Sequence, residues 1–292
     1  MVHEITQIGI QDYDCYSILW YGNYVKHYKH CIANSIGCAV KIKIIHQIKY
    51  IRSANWGEET VVRISNVTNE IYDDIAKKNP NFPKYDTGTA VLMCQWIAKL
   101  SGEVCNQTLM TVVADTIPIN TFDALDESDH RVWKILSNTI RLPTKFIPDD
   151  KLLATYTASG TLYSDMWESL PTKGSSLNIV TTFDLFEQSR TNFFGGQAHL
   201  KSLRENHSLA MVVGWIKDCV IHDVFDLNNH VPITCEFKVG LVRISQNKTF
   251  ELEQMICVNG NIIASTRLCM VCMDWNTKQI STLPDSYVDG ML

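Results

Sequence analysis

Between Asp12 and Ile36 the chain reads DYDCYSILWYGNYVKHYKHCIANSI, with two carboxylates, Asp12 and Asp14, ahead of a segment of helical periodicity. Tyr21, Tyr24, Val25, Tyr28, Cys31 and Ile32 recur at three- and four-residue spacing and form one apolar helical stripe. Asp14 falls in the loop that leads into this helix, whose first backbone N–H groups have no intrahelical partner. A carboxylate beside such donors is equipment for acyl chemistry, a base or nucleophile next to groups that stabilise a developing oxyanion. Position alone would make Asp14 a helix cap. Asp12 is expected to order the loop.

Other residue groups point to less. His27 and His30 lie about one helical turn apart, but no third ligand is near in sequence, so exposed or capping histidines are expected rather than a metal pair. Cys269 and Cys272 form a CxxC inside a strand-like run, where i and i+3 point to opposite faces, and no zinc site is expected. The ten cysteines are scattered through apolar segments and read as reduced, buried thiols. There is no G-x-S-x-G elbow, no G-x-G-x-x-G after a strand and no P-loop, so neither a serine hydrolase nor a nucleotide cofactor is expected.

The elements that must hold these residues follow a repeating order. The chain has 292 residues, 46% hydrophobic and 20% charged, a natural length for two domains. A net charge of -5 argues against nucleic acid as the main partner. No run approaches a membrane span and no signal peptide is visible, so a cytoplasmic location is expected. Residues 2–12 read as a strand, followed by the loop and helix. Then 39–51 and 59–67 read as strands, and 89–100 and 103–115 flank Ser101-Gly102 as a hairpin.

The second half repeats this order, with 174–188 able to form a strand and 193–206 a helix. Ile221-His222-Asp223-Val224 echoes Ile45-His46-Gln47-Ile48, Val242-Arg243-Ile244-Ser245 repeats Val62-Arg63-Ile64-Ser65, and Asn259-Gly260 matches Ser101-Gly102. The offset is near 173 at the helix, 180 at VRIS and 158 at the hairpin. The final drop corresponds to the Lys/Pro-containing excursion at 67–88, present only in the first half. These markers indicate a tandem duplication: a first unit at 1–118, a connector with a helix of its own (130–140) at 119–173, and a second unit at 174–292. The expected class is α+β, each unit an antiparallel sheet around a helix.

The run D-x-D-x-x-x-I-L-W-Y-x-N-Y resembles the signature of hotdog-fold acyl-CoA thioesterases of the 4-hydroxybenzoyl-CoA type. The resemblance implies a double hotdog, its two sheets joined within one chain. It also implies that Asp14 is the catalytic carboxylate and that the N–H groups of Tyr21 and Gly22 polarise the thioester carbonyl. Asp12, Ser17, Trp20, Asn23 and Tyr24 would line the substrate site. The family usually has Gly where this chain has Ser17. An offset of 173 puts Glu187 at the position of Asp14, Phe193-Phe194 at Trp20-Tyr21 and Gly195 at Gly22. Glu187, Arg190 and Asn192 are then expected to line a degenerate or substrate-shaping second pocket.

The implied activity is hydrolysis of an acyl-CoA or acyl-carrier-protein thioester in fatty acid or polyketide metabolism, on an apolar or aromatic acyl group. No cofactor or metal is implied, and family members commonly assemble further, so a homodimer of double hotdogs is an expectation. Two alternatives remain. One is a dehydratase or cyclase acting on a carrier-bound chain, which would need a histidine opposite the acid, from His222, His46 or His199. The other is a non-catalytic acyl-binding double hotdog.

Overall fold

Alternating apolar residues along extended segments account for the strands, and an amphipathic segment forms the central helix in each half of the chain. The computed structural model describes residues 2–3, 21–51, 59–67, 73, 77, 89–114, 146–169, 175–222 and 232–292. The chain divides into two compact units, Met1–Lys145 and Phe146–Leu292.

The first unit contains β1 (Val2–His3), α1 (Tyr21–Ile36), β2 (Val40–Tyr50), β3 (Thr60–Asn66), β4 (Thr89–Ala98) and β5 (Val104–Ala114). Its strands pair antiparallel in the order β1-β3-β4-β5-β2. α1 ends at Gly37, whose φ of 72° is left-handed and whose N–H returns to the Ala33 carbonyl at 2.9 Å, a glycine stop. The expected stripe is the buried face: Tyr24, Val25, Tyr28 and Ile32 are 0% exposed and Cys31 1%.

The second unit contains β6 (Ala154–Leu162), β7 (Trp167–Ser169), β8 (Ser175–Leu177), α2 (Ile179–Phe193), α3 (Gly196–His207), β9 (Leu209–Ile221), β10 (Ile233–Ser245), β11 (Thr249–Val258), β12 (Asn261–Asp274) and the short α4 (Asp285–Asp289). Its main sheet pairs antiparallel in the order β6-β10-β11-β12-β9. Strand for strand this is the first unit again, with β6 in the place of β1 and β9 in the place of β2. The chain is therefore a double hotdog in the sense of two tandem units, each an antiparallel sheet with a central helix.

Three expectations about the second half change. Residues 174–188 are not a strand: only Ser175–Leu177 is extended, and α2 starts at Ile179. The β-branched run Ile179-Val180-Thr181-Thr182 suggested a strand. The Asn178 cap and the helical spacing of Ile179, Phe183 and Phe186 prevail. The expected helix at 193–206 is α3, but its one buried residue is Leu203, so it is not the central helix. The helix alignment at 173 therefore fails. The buried residues Thr182, Phe183, Phe186, Ser189 and Arg190 of α2 each lie 158 positions after Tyr24, Val25, Tyr28, Cys31 and Ile32. That is the offset of the hairpin.

The VRIS identity is also out of structural register, since Arg63 pairs with Gln95 but Gly240, not Arg243, pairs with Glu253. Within the span expected as a connector, β6 is a strand of the second unit's sheet, paired with β10 from Ile233↔Leu162 to Leu241↔Ala154. The helix expected at 130–140 lies outside the described residues. All nine described cysteines are free thiols.

Candidate active site at the start of the first helix

α1 begins at Tyr21, so the first N–H groups of the helix are those of Tyr21, Gly22 and Asn23. Asp12, Asp14, Ser17 and Trp20 lie outside the described residues, as do the side chains of Tyr21 and Asn23. Tyr24 is the site residue whose environment is described. It is fully buried, its ring edge-on to Trp96 at 5.1 Å, and Tyr28 follows one turn later at 6.2 Å from the same indole. His27 also packs against Trp96, at 5.5 Å. Burial first, then the charges of Lys26 and His30, lowers its pKa. His30 is exposed and hydrogen-bonded to Asn34 at 3.0 Å.

Below this aromatic group sits a polar cluster that the motif did not reveal. The Tyr28 hydroxyl donates to Asn106 Oδ1 at 2.8 Å, and Thr108 Oγ1 donates to the same oxygen at 3.0 Å. Burial holds the Tyr28 phenol well above its ordinary pKa, so it stays a neutral donor. Asn106 is 0% exposed and its Nδ2 has no hydrogen-bond partner. Leaving a buried donor unmade costs about 1–3 kcal/mol. The signal was in the period-2 reading of β5, where Asn106 and Thr108 share a face with Met110, Val112 and Ala114.

In the second unit the start of α2 is built differently. Asn178 caps it, accepting the Val180 N–H on Oδ1 at 2.8 Å, while its Nδ2 donates to Glu168 Oε1 at 2.8 Å. The carboxylate at this helix start is thus Glu168 of β7. Glu187, aligned with Asp14 at an offset of 173, is instead in the third turn of α2. Its Oε2 stands 3.5 Å from Arg190 Nη2, longer than a hydrogen bond. The side chain is 44% exposed but Oε2 itself is shielded, and burial raises the Glu187 pKa against the opposing pull of Arg190. Asn192 is exposed and belongs to no common cluster with this pair. Phe194 closes the C-terminus of α2 and Gly195, with a φ of 89°, is the N-cap of the peripheral α3, so neither sits at the start of the central helix as Tyr21 and Gly22 do.

The three histidines considered as partners for an acid are spread apart. His46 is buried in β2, hydrogen-bonded to Thr111 at 2.8 Å, and burial pushes its pKa down to about 3, so it is uncharged near neutral pH. His199 lies on the exposed side of α3 against Tyr287, and His222 is exposed at the end of β9. Among the described residues no three His, Cys, Asp or Glu side chains converge to hold a metal ion, and no helix is long and apolar enough to cross a membrane.

No protein-family model matches the sequence, and no curated protein is significantly similar to it in sequence. Solved structures do share its fold. The 12:0-ACP thioesterase from Umbellularia californica superposes with a TM-score of 0.56 at 10% identity, over 91% of this chain and 96% of that one. An acyl-ACP thioesterase from Bacteroides thetaiotaomicron gives 0.54 at 10% identity, over 92% and 97%. The class this defines is the double hotdog. Identities this low speak for fold and not for chemistry.

Proposed function

We propose that the chain hydrolyses an acyl thioester, with Asp14 as the acid-base or nucleophilic carboxylate and the N–H groups of Tyr21 and Gly22 as the oxyanion donors. The observation that carries this reading is the start of α1 at Tyr21, which puts helix-start N–H groups without intrahelical partners seven residues after Asp14 in sequence. The fold likeness to acyl-ACP thioesterases over nearly the whole chain supports the same class of substrate.

In the hydrolytic step, Asp14 takes a proton from water while the water oxygen attacks the thioester carbon. The carbonyl electrons move onto oxygen, held by the two N–H groups. They then return to re-form the carbonyl as the C–S bond breaks, and the sulfur leaves with the proton. If Asp14 attacks directly, an acyl anhydride forms first and water cleaves it. The buried rings of Tyr24, Tyr28 and Trp96 line the seam between α1 and the sheet. The thiol carrier is CoA or an acyl carrier protein.

The test is thiol release from a panel of short, long and aryl acyl-CoA esters, repeated on acyl carrier protein, with wild type and Asp14→Asn. Turnover that collapses in the variant is the expected result. Turnover that survives it removes Asp14 from the chemistry, and no turnover on either carrier leaves a binding protein.

A further inference from the structure

Asn106 leaves an unpaired amide group buried beneath α1. Its orientation follows from its neighbours. With Oδ1 toward Tyr28 and Thr108, both hydroxyls donate to it and the unsatisfied group is the NH₂. Turned over, the amide would give its N–H groups to those hydroxyls and leave their own protons and Oδ1 in need of partners. The first arrangement satisfies more groups, so the vacant function is a donor.

This donor is fully buried, on the helix-facing side of β5, directly across from Trp96 on β4 and Tyr50 on β2. Tyr28, which binds the amide, lies seven residues along α1 from Tyr21, or about 10 Å at the helical rise per residue. An acyl chain held at the helix start and running along the buried face of α1 would reach Asn106 at about that depth. The second unit lacks this feature. Its helix-facing pair at the corresponding place in the hairpin is Gln254 across from Thr266, where the first unit has Trp96 across from Asn106. There Gln254 Nε2 is spent on the Phe186 carbonyl at 2.8 Å and Ser189 Oγ at 2.9 Å, so the vacant atom is an acceptor, Oε1.

We propose that Asn106 Nδ2 selects acyl chains bearing an oxygen acceptor, a ketone or hydroxyl, about 10 Å from the thioester carbonyl along α1. This rests on the thioesterase reading for the position of the carbonyl, but not for the donor itself. The probes are dodecanoyl-CoA and its mid-chain keto analogue, a ketone being able only to accept, together with the two corresponding free acids. Thiol release gives the ratio of kcat/KM for the keto ester to that for the plain ester, and calorimetry gives the ratio of affinities for the free acids.

Wild type is expected to favour the keto chain by roughly tenfold in both ratios, the value of one neutral hydrogen bond to a buried donor. Asn106→Leu is expected to bring both ratios to about one. If neither ester is hydrolysed, the thioesterase reading fails while the free-acid ratio still decides on the donor. The proposal is overturned if wild type shows no preference for the keto acid, as when Nδ2 simply holds a water. A preference that survives in Asn106→Leu overturns it equally. The wild-type comparison stands even if the variant does not fold.

Discussion

Beneath the two central helices the same five positions are buried, but they carry different chemistry. Under α1 they are Tyr24, Val25, Tyr28, Cys31 and Ile32; under α2 they are Thr182, Phe183, Phe186, Ser189 and Arg190. The sheet residue facing them changes in step, from Trp96, which meets Tyr24 and Tyr28 edge-on, to Gln254, which ties Phe186 and Ser189 to β11. The first unit thus has an aromatic seam and the second a hydrogen-bonded one. A duplicated fold keeps the pattern of burial, which topology imposes, while the residue types drift.

The sharpest test of that division is chemical. Asp14→Asn is expected to lower thiol release at least about 100-fold, the scale of a lost general base. Glu168→Gln, at the start of α2, should leave turnover in place and cost only the stability of the Asn178 cap. Equal losses would mean that both units work.

Exchanging one residue between the seams comes next. Ile32→Arg would put a charge at a fully buried position of α1 and should cost upward of ~3 kcal/mol. The reverse change, Arg190→Ile, removes a buried cation instead of adding one and should cost clearly less than Ile32→Arg. Urea unfolding of both variants measures the asymmetry, and similar costs would refute it.

Each unit also has a bulge in the strand that follows its helices, and each holds a titratable group whose charged form burial disfavours. In β2 the register shifts between Ile45 and Gln47, around His46. In β9 it shifts between Lys217 and Val220, around Asp218, whose φ is 50°. His46 is lowered from 6.5 to about 3, so the unfolded chain binds its proton more readily, and stability is lost as pH falls below 6.5. Asp218 is raised from 3.8 to about 6, so the folded chain holds its proton more readily, and stability is lost as pH rises from 3.8 toward 6. The two slopes oppose each other at mildly acid pH. Asp218→Asn should raise Tm at pH 7 and steepen the net rise of Tm with pH between 4 and 6; His46→Gln should do the reverse in that window.

The smallest expected effect is at Gln254. Replacing it with Leu removes two hydrogen bonds to α2 together with the unpartnered Oε1, and should cost about 1 kcal/mol by thermal melting.

The architecture was largely legible in the sequence, because apolar periodicity and a duplicated hairpin depend on local pattern. The α1 stripe, strands β2 to β5 and the existence of two units were read from residue spacing. The second helix was not, since its β-branched start imitates a strand and a chance VRIS match pulled the alignment away from the true offset. Asn106, Trp96 and Glu168 were missed for another reason: their importance arises from partners 10 to 78 residues away, which no local pattern encodes.

The strand β6 bears on where the second unit can be cut. It pairs with β10 along its full length, and just before it the Ile147 N–H reaches the carboxylate of Glu253, which is fully buried and paired with Arg267 at 3.1 Å. A fragment starting at residue 174 would strip the edge of β10 and leave a row of backbone donors and acceptors open to any other strand, an invitation to aggregate. A fragment starting at Phe146 keeps its own guard strand. Proteolytic trimming of the intact chain should therefore stall near residue 146, well short of the β7–β8 hairpin.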